Sequence, residues 1–132
     1  MNPRWTTELE LREEYVDYLG HVTAAAHLTL FELAHGHWLA ELMADPAPAF
    51  VLVRLELDYR RELLLADGPV IASLAPVRLT RSTVVIQEEL RTAARGVHTE
   101  ATATLVRWDR VRRRSMPFPA SERAGIEAWL AR

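Results

Sequence analysis

The chain has 132 residues, 49% of them apolar and 26% charged, with a formal net charge of −2. These values are typical of one globular domain spanning residues 1–132, and the negative charge argues against non-specific binding of nucleic acid. Cysteine and lysine are both absent, which excludes disulfides, thiolate metal sites, cysteine nucleophiles and lysine Schiff bases. No apolar run is long enough to cross a membrane and no secretion signal is recognisable, so we expect a cytoplasmic protein without membrane segments.

The first elements predicted along the chain are a strand and a long helix. Residues 5–12 alternate in part, with Leu9 and Leu11 on one face, which favours a strand. Residues 24–43 carry apolar side chains at helical spacing over most of the circumference, which is typical of a helix buried on most sides. Thr23 is placed to cap this helix, and the prolines that follow the helix end it.

From residue 50 onward the apolar period changes to two, which indicates β-strands. Four strands are predicted, over residues 50–60, 69–80, 82–92 and 96–109. Glycine and proline residues separate them at short intervals, which favours antiparallel pairing. A short final helix follows these strands, with Ser121 as its expected N-cap.

The predicted order is strand, long helix, four strands and short helix. A long helix that is apolar on most sides must be covered, and a sheet that curves around it is the simplest solution. We therefore predict an α+β fold in which a curved antiparallel sheet wraps around one central helix. Such a sheet has exposed edges, and pairing with a second copy of the chain covers one of them.

This order of elements, with the segment DYLGHV (residues 17–22) just before the long helix, resembles the hotdog fold. It is similar to the 4-hydroxybenzoyl-CoA thioesterase-like family of acyl-CoA thioesterases, whose pattern runs D-x-x-G-H-V-N-N-x-x-Y and then F-E-x-A-R. The segment FELA (residues 31–34) matches the second part of that pattern. The chain departs from the pattern at four positions, namely Thr23, Ala24, His27 and His35.

The resemblance implies hydrolysis of an acyl-CoA thioester to a carboxylic acid and free coenzyme A, with no cofactor beyond the coenzyme A of the substrate. It implies Asp17 as the catalytic carboxylate, either as nucleophile or as general base on water, with His21 beside it. The backbone N–H groups of Ala24 and Ala25 are candidate donors to the oxyanion, because the first turn of a helix leaves them without intrahelical partners. Candidate ligands of the coenzyme A phosphates are Arg60, Arg61, Arg81 and Ser82. We expect a homodimer or homotetramer with active sites between subunits.

Other interpretations stay open at this point. Asp17 is also typical of a turn residue that accepts hydrogen bonds from nearby N–H groups, and His21 is equally typical of a packed histidine. The spacing of His27, His35 and His37 along the helix does not match a metal-binding motif, so we expect no metal.

Two rival functions also fit the sequence. The first is hydrolysis of acyl groups held by an acyl carrier protein, which predicts a basic docking surface for an acidic partner. The second is non-catalytic binding of an acyl ligand on the same fold, and it predicts that Asp17 has no chemical role.

Overall fold

The computed structural model describes residues 4–131. Its helices and strands, in chain order, are β1 (Trp5–Leu9), α1 (Ala24–Met43), β2 (Phe50–Tyr59), β3 (Val70–Leu79), β4 (Thr83–Thr92), β5 (Gly96–Asp109), β6 (Arg114–Ser115) and α2 (Ala120–Leu130). Short 3-10 turns lie before α1 and before β3. The predicted succession of a strand, a long helix, four strands and a final helix is confirmed, and the two-residue β6 is an addition to it.

The strands form one antiparallel sheet in the order β1–β3–β4–β5–β2, with β6 paired to β5. The sheet is curved and carries two helices, as predicted for an α+β hotdog fold. β2 lies at one edge and pairs with β5 on one side only. Because neighbouring strands run in opposite directions, the end of β2 and the start of β3 lie at one end of the sheet, and the β3–β4 turn lies at the other.

The core lies between α1 and the sheet. Eight residues of α1 are buried, and they are Ala26, His27, Leu30, Phe31, Ala34, His35, Trp38 and Leu39. On β4, the alternate residues Val84, Ile86 and Leu90 are completely buried, as expected for a strand with one face toward a helix. α1 is nonetheless not covered on all sides, since Leu33 is 40% exposed.

A buried polar pair links α1 to β4. His35 Nε2 lies 2.8 Å from Oε1 and 2.7 Å from Oε2 of Glu88, and both side chains are almost fully buried. Burial raises the pKa of Glu88, while the hydrogen bond and the charge of His35 oppose that rise. The other ring nitrogen of His35 has no hydrogen-bond partner among residues 4–131, and neither has the indole N–H of Trp38. The buried imidazole of His35 therefore depends on Glu88 for its hydrogen bonding.

The structure corrects two local predictions. β1 ends at Leu9 rather than at residue 12, because the chain leaves the sheet there; Leu11 packs against the core from outside the strand. The N-cap of α2 is Pro119 rather than Ser121, because the helix already begins at Ala120. The cap of α1 is confirmed, since the side chain of Thr23 accepts a hydrogen bond from the N–H of Ala26 at 3.1 Å.

Candidate active site

The segment before α1 folds into a tight hairpin. The N–H of Asp17 donates to the carbonyl of His21 at 3.0 Å, and the N–H of Thr23 donates to the carbonyl of Tyr15 at 2.9 Å. Gly20 turns the chain with a φ of 78°, a conformation that favours glycine because a side chain is strained there. The hairpin is fixed to the sheet by a hydrogen bond from Val22 N–H to the carbonyl of Leu63 at 2.7 Å.

The carboxylate of Asp17 is only partly engaged in this hairpin. Its Oδ1 accepts hydrogen bonds from the N–H groups of Leu19 at 2.9 Å and His21 at 3.1 Å, so its role as a turn residue is confirmed. Its Oδ2 has no hydrogen-bond partner within the part of the chain that the structure describes. One oxygen therefore holds the turn, and the other is left for a ligand or a water molecule.

The start of α1 follows this hairpin directly. Thr23 caps the N–H of Ala26, whereas the N–H groups of Ala24 and Ala25 find no acceptor in the described residues 4–131. Both alanines are exposed and line a mostly apolar groove of about 500 Å³ against β2, together with Leu28. The two predicted oxyanion donors are therefore free, and the positive end of the α1 dipole lies beside them.

A chain of charged side chains connects the hairpin to the residues that follow β2. His21 Nε2 is 2.7 Å from Oε2 of Glu62, and Oε1 of Glu62 lies 3.8 Å from the guanidinium of Arg95. Arg95 in turn donates to Oδ2 of Asp67 at 3.0 Å. His21 and Glu62 line a groove of about 300 Å³ that also includes His27.

His27 forms part of the floor of this groove and did not figure among the predicted site residues. It is 3% exposed, its Nδ1 lies 2.8 Å from Oγ1 of Thr99, and its ring meets the edge of Tyr59 at a centroid distance of 5.0 Å. Burial, and secondly the charge of His98, lowers the pKa of His27, so the ring is neutral at pH 7. The sequence already indicated that position 27 is unusual, because His27 stands where the family pattern has tyrosine.

The four predicted coenzyme A ligands lie in two places. Arg60 and Arg61 follow β2 at the Asp17 end of the sheet, where both are exposed; Arg60 donates to Oε2 of Glu100 at 3.2 Å, and Arg61 donates to the carbonyl of Arg95. Arg81 and Ser82 form the β3–β4 turn at the opposite end of the sheet. One chain therefore does not bring the four residues together, and their role in binding stays a prediction.

The histidines of α1 have separate partners. His27 contacts Thr99, His35 contacts Glu88, and His37 Nδ1 lies 3.3 Å from the hydroxyl of Thr7. Across residues 4–131, no group of three His, Cys, Asp or Glu side chains is arranged to hold a metal ion.

Over the same residues, no helix has the length and apolar character needed to span a membrane.

Comparison with known proteins places this geometry in a family. Residues 11–130 match the family model of the Thioesterase-like superfamily. A thioesterase from Thermus thermophilus, solved with coenzyme A and zinc, is 26% identical with a TM-score of 0.81, over 96% of this chain and 94% of that chain. A predicted thioesterase from Bacillus stearothermophilus is 20% identical with a TM-score of 0.84, over 97% of both chains.

A Staphylococcus aureus protein in complex with coenzyme A has the same fold, with a TM-score of 0.84 at 16% identity, over 99% of this chain and 86% of that chain. No curated protein matches the chain. The family match extends over nearly the whole sequence and includes the Asp17 hairpin, both helices and every strand except β1. The chain therefore belongs to the Thioesterase-like superfamily and is a thioester hydrolase of the hotdog fold.

Proposed function

We propose that the protein hydrolyses acyl-CoA thioesters at the Asp17 hairpin and the start of α1. The observation that carries the proposal is that one short segment holds a carboxylate oxygen on Asp17 and two N–H groups, on Ala24 and Ala25, without partners among residues 4–131. Thioester hydrolysis needs these two elements, a basic or nucleophilic oxygen and donors for the charge that develops on the carbonyl oxygen. Each such donor typically stabilises the transition state by about 3–4 kcal/mol.

Two chemical routes use the same groups. In the general-base route, Asp17 Oδ2 takes a proton from water as the water oxygen bonds to the carbonyl carbon; the C–S bond then breaks and the proton passes to sulfur. In the nucleophilic route, Oδ2 bonds to the carbonyl carbon, the thiolate leaves, and water hydrolyses the resulting anhydride. In both routes the carbonyl oxygen becomes negative in front of the N–H groups of Ala24 and Ala25.

We propose further that the site is shared between two chains joined at β2. Within residues 4–131 this ten-residue edge strand leaves backbone groups unpaired along its outer side. Val53 on it is 57% exposed, and Leu33 on α1 is also exposed. A two-fold axis would pair β2 antiparallel with its copy. The partner's Arg81 and the partner's Ser82 would then lie at the end of the joined sheet where this chain has Asp17, so both groups of arginines would serve one coenzyme A.

The shared site predicts complementation between two defective variants. Asp17→Asn and Arg81→Ala are each expected to impair hydrolysis as homodimers. In a hybrid dimer of one Asp17→Asn chain and one Arg81→Ala chain, both substitutions fall in the same site, and the other site keeps both native residues. We expect the hybrid, purified with two different affinity tags, to recover about half of the wild-type kcat/KM. A hybrid no more active than the mean of its two parents would show that Asp17 and Arg81 do not share a site across subunits.

One observation favours the carrier-protein substrate as a second candidate. The turn at residues 110–113 and the first residue of β6 carry four arginines, none of which forms a salt bridge with an acidic side chain in the described part of the chain. Such a turn suits an acidic protein surface. The test compares kcat/KM for the same acyl group on coenzyme A and on a carrier protein. Our proposal predicts the larger kcat/KM for coenzyme A; a larger kcat/KM for the carrier protein, reduced by Arg112→Glu, would reverse that assignment.

A cytoplasmic location stays a prediction.

A further inference from the structure

The contact between His21 and Glu62 determines which ring nitrogen of His21 carries its proton. An ionised carboxylate only accepts hydrogen bonds, so Nε2, at 2.7 Å from Oε2 of Glu62, must be the donor. In the neutral ring the other nitrogen, Nδ1, is then unprotonated and acts as an acceptor. Nδ1 has no hydrogen-bond partner among residues 4–131.

The hairpin places this acceptor beside Asp17. Asp17 and His21 lie directly opposite each other, since the N–H of Asp17 donates to the carbonyl of His21. Opposite residues of an antiparallel pair project to the same face, with Cβ atoms about 5 Å apart. The two side chains whose Asp17 Oδ2 and His21 Nδ1 lack partners among residues 4–131 therefore project from facing positions of the hairpin. A water molecule between them can donate one proton to each.

Glu62 is itself held from two directions. Its backbone carbonyl lies 2.7 Å from Nδ1 of the buried His98, and the N–H groups of Arg60 and Arg61 donate to the carbonyl of His98 at 2.8 and 3.1 Å. Its second carboxylate oxygen faces Arg95, which is bonded to Asp67. The anchor of His21 is therefore fixed independently of the hairpin.

The solvent exposure of His21 and Glu62 argues against an ion pair that only stabilises the fold. The side chains of His21 and Glu62 are 39% and 47% exposed, and ion pairs at such positions contribute little to the free energy of folding. The pair is instead suited to fixing the orientation of the His21 ring, and His21 lines a groove.

We infer that Glu62 is a positioning residue of the hydrolytic site, which holds His21 with its proton on Nε2 so that Nδ1 accepts a hydrogen bond from the attacking water. Asp17 Oδ2 accepts the second hydrogen of that water. The inference rests on the proposed function, because it assigns a role within thioester hydrolysis at Asp17.

The test compares Glu62→Gln with the matched control Glu127→Gln, which alters an exposed glutamate paired with Arg123 on α2. Glutamine both donates and accepts, so it no longer fixes the ring proton. We expect Glu62→Gln to lower kcat about tenfold with little change in KM, which is the lower end of the roughly 10- to 100-fold cost of losing a carboxylate partner behind a metal-bound imidazole. Nitrogen-15 spectra of the His21 ring should show the Nε2–H tautomer in wild type and a mixture in Glu62→Gln. The control should match wild type in both measurements.

The outcomes separate this inference from the function on which it depends. If Glu62→Gln keeps kcat within twofold while Asp17→Asn abolishes hydrolysis, Glu62 has no positioning role and the proposed site stands. If the ring proton of wild type lies on Nδ1, or if both proteins show the same tautomers, the inference is likewise wrong. If neither Asp17→Asn nor Glu62→Gln affects hydrolysis, the site itself is elsewhere.

Discussion

The variant Asp17→Asn is expected to lower kcat for acyl-CoA hydrolysis about 10²- to 10⁴-fold and to leave the fold intact. Asparagine keeps an Oδ1 that accepts the hydrogen bonds from Leu19 and His21, so the hairpin is retained. The free Oδ2 becomes an NH2 group, which neither attacks a carbonyl carbon nor takes a proton from water. The change therefore separates the turn role of Asp17 from its chemical role.

The chain offers a matched control for this substitution. Asp45 is also a turn residue, and its Oδ1 accepts a hydrogen bond from the N–H of Ala47 at 2.9 Å. Asp45→Asn makes the same chemical change outside the site and should leave kcat at the wild-type value. Thermal unfolding of both variants checks the fold. A folded Asp17→Asn protein with wild-type kcat would leave Asp17 with its turn role alone.

The variant Glu88→Ala is expected to lower the free energy of unfolding by about 3–5 kcal/mol. It leaves the imidazole of His35 buried with neither ring nitrogen satisfied, because Nδ1 already lacks a partner among residues 4–131. Replacing both residues by leucine removes the polar groups together and should restore most of the loss. Urea unfolding measures these differences, with Gln87→Ala at an exposed position on the opposite face of β4 as control. A double variant as unstable as Glu88→Ala would refute this explanation.

The same pair predicts an unusual dependence of stability on pH. Burial raises the pKa of Glu88 in the folded state above its ordinary value of 4.5, which it keeps in the unfolded state. At a pH between 4.5 and the raised pKa, the folded state therefore holds a proton that the unfolded state releases. The contribution of this proton to the free energy of unfolding is complete below pH 4.5 and is lost as the pH rises through the raised pKa of folded Glu88. Relative to Glu88→Gln, wild type should therefore become less stable as the pH rises from 4.5. A difference that grows in favour of wild type over that range would contradict the raised pKa.

Much of the fold could be predicted because each element has a strong local pattern. α1 is apolar at helical spacing, Thr23 is a typical cap, and period-two alternation marks the strands β2, β4 and β5, whereas β3 is buried at five consecutive positions. The ends of elements were less predictable. The boundary of α2 is set by Pro119, whose φ already suits the start of a helix, and Ser121 therefore falls inside the helix.

The contacts of the site depended on pairing that no local pattern shows. His21 and Glu62 are 41 residues apart in sequence, and His35 and Glu88 are 53 apart; the fold brings each pair together. The separation of Arg61 from Arg81 was not predicted, although antiparallel strands place successive turns at opposite ends of a sheet. The expectation of active sites between subunits came from the family resemblance instead.

The most direct measurement is release of thiol and carboxylic acid from acyl-CoA esters by the wild-type protein, followed with a thiol-reactive dye. The chain has no cysteine and so adds no background signal. Hydrolysis at the Asp17 hairpin predicts catalytic turnover of at least one ester, with thiol and acid formed in equal amounts. A folded oligomer that binds these esters and releases neither product would contradict the proposed acyl-CoA thioesterase activity.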